Sequence, residues 1–192
     1  MKHDPIKRAQ QTLKRAEKKK IFLPNAIALA TSSKQAFPSL RMMLLKGIDE
    51  RGFIFYTNLN SRKARELLAN PKASLMCWWR EFGEQIRVEG KIKSVSKKEA
   101  DAYFATRPRG SQIGAWASKQ SSFLTSRKDL LKAVANFEKK FKGKPVPRPP
   151  FWSGFILTPK QIEFWKNMPD RLHKRELYIH GKKGWSFHCL YP

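Results

Sequence analysis

RMMLLKGIDERGFIFYTNLNSRK, Arg41–Lys63, decides the fold. It reads as strand, tight turn, strand, then the start of a helix. Leu40 to Ile48 is β-prone. Asp49-Glu50-Arg51-Gly52 is turn chemistry, with Gly52 free to take positive φ. Phe53 to Thr57 is aromatic and β-branched, as a strand prefers. Asn60 or Ser61 can cap the helix that follows. Ser61, Arg62 and Lys63 then lie at a helix N-terminus, where free N–H groups and the helix dipole favour an anion. Arg41 and Lys46 arrive from the preceding strand. Four cations beside a helix start describe a phosphate site; a solvated basic surface is the other reading.

Composition narrows the class. With 192 residues and 41% hydrophobic content, the chain can bury the core of one domain, 1–192. Its formal charge is +25, spread along the whole length, so polyanions and phosphate-bearing ligands are natural partners. Cys77 and Cys189 belong to no C-x-x-C; Cys77, inside an apolar run, reads as a small core residue. His3, His173, His180 and His188 show no metal-ligand spacing, so no metal is expected. Lys18-Lys19-Lys20 before IFLPNAIALA imitates a secretory signal, but it lies inside the chain and is broken by Pro24 and Asn25. Ala26 to Thr31 is read instead as a first strand. No run approaches the ~20 apolar residues of a membrane span. A soluble cytoplasmic protein is the expectation.

Outward from the opening stretch, Asp4-Pro5 starts a helix over about 4–19, with Ile6, Ala9, Leu13 and Ala16 on one stripe. A helix from Ser61 to Ala69 stops before Asn70-Pro71. Ala73 to Trp79 is near-continuously apolar, a strand covered on both faces. Gln85 to Val95 alternates with period two. Ser96-Lys97-Lys98-Glu99 is a capping box opening a helix to about Thr106, which Pro108 and Gly110 stop. Ser111 to Ser122 reads as an irregular loop. Ser126 to Phe141 reads as a helix with Leu130, Leu131, Val134, Phe137 and Phe141 inward. KPVPRPP is a stiff connector. Strands at Trp152–Leu157, Gln161–Lys166, Leu172–His180 and Trp185–Leu190 close the chain over about 152–190. Many short strands, few helices and no βαβ alternation predict a mainly β (α+β) fold, antiparallel sheet closed into a small barrel with helices around it.

Two further clusters carry chemistry. Tyr103, Arg107 and Ser111 are spaced four apart, and a phenol, a guanidinium and a hydroxyl suit a phosphate. Pro108 breaks the shared helix face, and Arg107 could equally satisfy helix-end carbonyls. In RLHKR, strand parity puts Arg171, His173 and Arg175 on one face, with Phe164 and Trp165 upstream as a wall for a ring. An exposed basic edge strand is the plainer reading. No Ser/His/Asp order, paired carboxylates or glycine-rich nucleotide loop stands out, so anion recognition plus a borrowed cofactor fits best.

RMMLLK, FYTN-x-x-SRK, EQIRVEG, YFATRPRGSQIGAWASKQS, IEFW and RLHKR follow one another at spacings that closely resemble the pyridoxine/pyridoxamine 5′-phosphate oxidase family, over about Asp4 to Pro192. The RPRGSQIGAW-x-S-x-QS block is the most specific. The resemblance implies a homodimer of split β-barrels that binds FMN between subunits. It implies oxidation of pyridoxine and pyridoxamine 5′-phosphates to pyridoxal 5′-phosphate, with O2 returning as H2O2, in vitamin B6 biosynthesis and salvage. By the resemblance, FMN is held by Arg41, Met42, Met43, Leu44, Leu45, Lys46, Tyr56, Thr57, Arg62, Lys63, Gln85, Gln120, Ser121, Trp165 and Arg175. Lys46, Tyr103, Arg107 and Ser111 take the substrate phosphate. Arg171, Leu172 and His173 lie at the pyridine ring, with Arg171 and His173 as the catalytic pair. Arg41 and Lys46 have opposite strand parity, so a bulge or long reach must reconcile them.

Three departures stand out. Lys174 replaces the family's usual Asp, KNMPD (166–170) lacks the usual glycine, and the basic-aromatic N-terminal arm of many members is not represented, which implies a more open site. Two other readings stay open: an FMN-binding split barrel with a different or lost substrate, and a non-catalytic basic nucleic-acid binder. The latter lacks a helix-turn-helix or RNA-binding signature, and no specific nucleic acid or membrane partner is expected.

Overall fold

The computed structural model describes residues 4–192; His3 lies outside them. Among the described residues there are nine strands and five α-helices. Helix α1 (Pro5–Lys18) is capped by Asp4, whose carboxylate accepts from Ile6 N at 2.9 Å. Its stripe of Ile6, Ala9 and Ala16 is buried against the sheet. Strand β1 (Ala26–Ser32) follows, as the apolar run predicts.

The opening stretch folds with one correction. It is not a single strand from 40 to 48 but two, β2 (Pro38–Leu44) and β3 (Gly47–Asp49). β2 pairs with β1, and β3 pairs with β4 (Gly52–Asn58) across the predicted turn, where Gly52 has φ +136°. The change of partner falls at Leu45 and Lys46. Leu45 N donates to Asn25 O at 2.8 Å, while Lys46 N donates to Ile54 O at 2.8 Å. Leu45 drops into the core there. This break takes Lys46 off the β2 line, so the side-chain parity of Arg41 no longer dictates where it points.

Helix α2 (Arg62–Ala69) has Ser61 as its N-cap. β5 (Lys72–Trp79) alternates in burial and leaves Trp78 44% exposed, so it is covered on one face only within this chain. β6 (Glu84–Ser94) keeps its period of two. Ser96 caps α3 (Lys97–Ala105), accepting from Glu99 N at 3.1 Å, but the Glu99 carboxylate takes Arg51 rather than closing the expected capping box. The expected loop from Ser111 is largely helix α4 (Arg109–Ala117). Pro108 ends one helix and precedes the next, because proline's fixed φ and missing N–H suit a helix start. α5 (Arg127–Lys140) is capped by Ser126 but buries none of its own residues. Leu131 points outward, 55% exposed, and only Phe141 beyond its end is buried.

The two strands expected over 152–166 are one strand, β7 (Trp152–Lys166), continuous through Pro159, with a register shift opposite Glu89/Gly90. β8 is Lys174–Gly181 and β9 Gly184–Leu190. The order is β2-β1-β5-β6-β7-β4-β3, every pairing antiparallel, with β8 on the second half of β7 and β9 on β8. The end strands β2 and β3 are joined by two residues, so the sheet curls into a barrel. Ile27, Leu29, Phe53, Phe55, Val88, Leu157 and Ile162 fill it. A second core of Phe104, Ile113, Phe141, Val146 and Trp152 seats α3, α4 and the end of α5 on the start of β7. Cys77 is a core residue, as read, and burial pushes its thiol up to about 12. No helix among the described residues is long and apolar enough to cross a membrane.

Candidate functional site

A cavity of about 590 Å³ opens where the β2–β3 break, β4, the α3–α4 turn and the start of β7 meet. Met43, Leu44, Lys46, Tyr56, Thr57, Tyr103, Arg107, Ser111 and Gln120 line it, all named from the sequence. Asn58 and Trp152 line it too and were missed, since nothing in their spacing marks them.

The Tyr103–Arg107–Ser111 cluster assembles by a helix-to-helix turn. Ser111 lies in the first turn of α4, its N donating to Pro108 O at 2.8 Å. Gln112, buried, donates its Nε2 to Phe104 O at 3.0 Å, closing the end of α3 against α4. Arg107 does not satisfy helix-end carbonyls with its side chain. Its guanidinium lies 4.7 Å from the Trp152 ring centroid and 5.4 Å from that of Phe104. Its Nη1 is, among the described residues, the only buried side-chain nitrogen or oxygen without a hydrogen-bond partner. Burial lowers its pKa, with Tyr103 opposing. An unsatisfied buried donor is costly, and a free guanidinium N–H in a cavity suits an anion.

A second cationic group forms at the N-terminus of α2. Lys63, 7% exposed, donates its Nζ to Gln120 Oε1 at 3.0 Å and Thr57 Oγ1 at 3.1 Å, with no carboxylate in salt-bridge range among the described residues. Burial, then the nearby Arg41, lower its pKa to about 8. Arg41 turns to Thr31 Oγ1 (2.6 Å) and Ser39 Oγ (2.5 Å), and its Nη2 lies 3.4 Å from Glu66. Arg62 donates to Glu66 Oε1 at 2.8 Å. Burial alone would raise the Glu66 carboxyl, but hydrogen bonds from Ser39, Thr31 and Arg62 outweigh it and bring it to about 2. Glu66 was not singled out, although its i,i+4 spacing from Arg62 is the signal that could have found it. Lys46 faces the cavity from the strand break, apart from Arg41.

Tyr56 forms the back wall, near-parallel to Tyr103 (centroids 4.0 Å) and Trp152 (5.3 Å). It lies opposite Gly154 in the β4–β7 ladder. A Cβ there would sit 2.6 Å from the Tyr56 ring. Gly154→Ala should therefore expel Tyr56 and destabilise the protein by about 1–3 kcal/mol, as overpacking does. A thermal melt should fall by roughly 3–10 °C, and an unchanged Tm would show that the wall yields freely.

The remaining predicted residues gather elsewhere. Gln85, Trp165 and Arg175 are cross-strand neighbours on β6, β7 and β8. Arg171, Leu172 and His173 precede β8 rather than belonging to it, so the shared strand face expected for Arg171, His173 and Arg175 does not form. Arg171 ends a short 3₁₀ turn (Pro169–Arg171), and Asp170 and Arg171 both have left-handed φ, +53° and +61°. His173 packs on Trp165 at 4.6 Å and accepts from Met168 N at its Nδ1, 3.3 Å, which leaves Nε2 as the N–H donor of the neutral ring. Arg175 is bidentate to Glu163, at 2.7 and 3.1 Å. Lys174 pairs with Glu176 at 3.2 Å. Ser121, exposed, follows Gln120 with φ +70°.

Trp165 is eleven positions along β7 from Gly154, the partner of Tyr56. At ~3.3 Å per residue that is roughly 35 Å. One small ligand cannot touch both groups of a single chain. Leu40, Met42 and Leu44 stand exposed in a row on one face of β2.

Residues 13–140 match the family model described as pyridoxamine 5′-phosphate oxidase, and 152–192 match the pyridoxine 5′-phosphate oxidase C-terminal dimerisation region. Two similar proteins, each called pyridoxine/pyridoxamine 5′-phosphate oxidase, come from Rubrobacter xylanophilus and Zymomonas mobilis. The first is 50% identical over 98% of this chain and 87% of its own. The second is 50% identical over all of both. The crystal structure of PhzG from Burkholderia lata, in complex with tetrahydrophenazine-1-carboxylic acid, superposes with TM-score 0.93 at 34% identity, over 98% of this chain and 93% of that one. An FMN-binding protein from Nostoc punctiforme shares the fold, with TM-score 0.79 at 17% identity over the full length of both.

Proposed function

The chain belongs to the pyridoxamine 5′-phosphate oxidase family, and from that premise we propose that it oxidises pyridoxine 5′-phosphate and pyridoxamine 5′-phosphate to pyridoxal 5′-phosphate. The observation that carries this reading is the unpartnered Arg107 Nη1 in a cavity shared with Lys46, Tyr103 and Ser111. Those four groups take the substrate phosphate.

The residues also fit the family's cofactor. Lys63 is a buried cation without a carboxylate partner, beside a helix N-terminus and two guanidiniums already fixed by Glu66. Such a group favours a phosphate dianion. Arg41, Arg62, Lys63, Thr57 and Gln120 would hold FMN, with Tyr56, Lys46 and the 42–45 backbone alongside. FMN supplies the two-electron acceptor for the hydride from C4′, with O2 as final oxidant and H2O2 as by-product.

Gln85, Trp165, Arg175, Arg171 and His173 reach such a site only from a second copy. The separation along β7, the exposed β2 face and the matched dimerisation region support a homodimer with FMN at the interface. Arg171 and His173 of the partner subunit then lie against the pyridine ring. Arg171 offsets negative charge at the reacting end, and His173 donates from Nε2 to orient the ring. The alcohol loses its hydroxyl proton as the hydride leaves C4′ and gives the aldehyde. The amine gives an imine, which water hydrolyses. Substrates and cofactor carry phosphates that do not cross bilayers unaided, which supports a cytoplasmic enzyme working where they are made.

An aerobic assay of protein reconstituted with FMN tests the reading. Pyridoxine 5′-phosphate should yield aldehyde and peroxide together. Bound flavin with no aldehyde from either substrate would reject the activity while keeping the cofactor. Absence of bound flavin would reject both.

A further inference from the structure

Every other arginine assigned to the site and seen to be anchored is held by a carboxylate: Arg41 and Arg62 by Glu66, Arg175 by Glu163. Arg107 is held by rings. Its guanidinium makes no salt bridge and no side-chain hydrogen bond among the described residues, and it lies over the faces of Trp152 and Phe104. A carboxylate partner would occupy in-plane N–H donors and cancel the charge that a phosphate needs. An aromatic face grips the guanidinium from above and leaves the in-plane donors unspent.

Trp152 is built to provide that grip. It is the first residue of β7 and 5% exposed. Its ring is near-parallel to Tyr56, at 5.3 Å and 7°, and meets Phe104 edge-on at 5.0 Å. Its carbonyl accepts from Arg148 Nη1 at 2.5 Å and its N donates to Pro149 O at 3.0 Å. The indole cannot turn without breaking this packing.

We infer that Trp152 is a positioning residue for phosphate recognition: its indole face fixes the Arg107 guanidinium so that Nη1 stays free for the substrate phosphate. The inference rests on the reading that this cavity takes a phosphorylated pyridine.

Trp152→Leu should raise KM for pyridoxine 5′-phosphate about tenfold, the worth of one partly desolvated cation–π contact. The kcat should stay within about twofold. Trp152→Phe keeps a ring face and should stay within about threefold of wild-type KM. Calorimetry on FMN-loaded protein gives a reading free of turnover. The preference for pyridoxal 5′-phosphate over unphosphorylated pyridoxal should shrink about tenfold in Trp152→Leu and survive in Trp152→Phe. A purely structural role would lower stability and kcat without this phosphate-dependent split. Should Trp152→Leu fail to fold, Phe104→Leu removes the second ring and should shift KM the same way, by about two- to threefold. Unmoved KM and product preference in the folded variant would overturn the inference, as would a Phe variant as impaired as the Leu variant. Wild-type protein that forms no aldehyde would defeat the assigned activity instead.

Discussion

Arg171→Ala is expected to lower turnover about 10²- to 10³-fold, the usual cost of losing one preorganised charge-stabilising donor, with FMN bound as tightly as in wild type. Arg171 is exposed at the end of the 3₁₀ turn. Two successive left-handed residues, Asp170 and Arg171, lift it off the β8 line. L-residues adopt that backbone at a cost of order 1–2 kcal/mol. No side-chain hydrogen bond or salt bridge holds its guanidinium within the described chain. A side chain raised and left unengaged in its own protomer is free to act in a partner's site, as proposed above. Arg171 is assigned to the substrate's reacting end and not to the FMN phosphate, which is why cofactor affinity should not follow. Flavin titration and steady-state kinetics on the same preparation separate the two. Normal turnover by the variant would remove Arg171 from the reacting end.

Much of this architecture was legible because its signals are local. The Ser61 and Ser96 caps and the Asp49–Gly52 turn each declare themselves within four residues, and the structure uses all three. The period of two in β6 survives because one of its faces meets the core along its length. What was hidden depends on partners distant in sequence. The chain leaves β1 for β4 at Leu45–Lys46, and only the mismatched parity of Arg41 and Lys46 hinted at it. β7 runs through Pro159 because β6 flanks one edge while β4 and then β8 share the other. Pro108 reads as an ending but also begins a helix.

The candidate residues were legible as types, and their division was not. Strand parity placed Arg171 with Arg175, whereas the 3₁₀ turn removes Arg171 from the strand and Glu163 claims Arg175. The same chain therefore carries a cationic cavity at one end of β7 and the Gln85, Trp165 and Arg175 group at the other. A symmetric pair of chains can complete two such sites at once, each protomer giving one group and receiving the other. The excess of basic residues matters less than which of them lack a carboxylate. Among the described residues Arg107 and Lys63 are the proposed phosphate-binding cations that are buried or half-buried without one.

Lys63 gives the sharpest dependence on pH. In the FMN-free protein its pKa is lowered to about 8, first by burial and then by Arg41. A phosphate dianion alongside favours the protonated amine and raises that pKa on binding. FMN affinity should thus be flat below pH 8 and weaken above it, approaching tenfold per pH unit until the bound-state pKa is reached. Between pH 7.5 and 9.5 the dissociation constant should rise about 20-fold. Lys63→Met should start 10- to 100-fold weaker, from the lost charge-assisted contact, and show no such rise. Arg62→Ala combined with Lys63→Ala should lose FMN before any loss specific to substrate. Stability carries the opposite sign. Because the folded pKa lies below the unfolded one, the unfolded chain binds more protons between about pH 8 and 10.5. Lys63 therefore costs stability at neutral pH, and the cost fades as pH rises through that window. FMN-free Lys63→Met should melt a few degrees above wild type at pH 7, and the gap should close towards pH 10.5. A substitution that stabilises the empty protein while weakening its hold on FMN identifies Lys63 as a charge kept for the ligand rather than for the fold. If the variant instead melted lower at pH 7, with FMN affinity and its pH profile unchanged, Lys63 would be a structural lysine, and the cofactor phosphate would have to be sought at Arg41 and Arg62 alone.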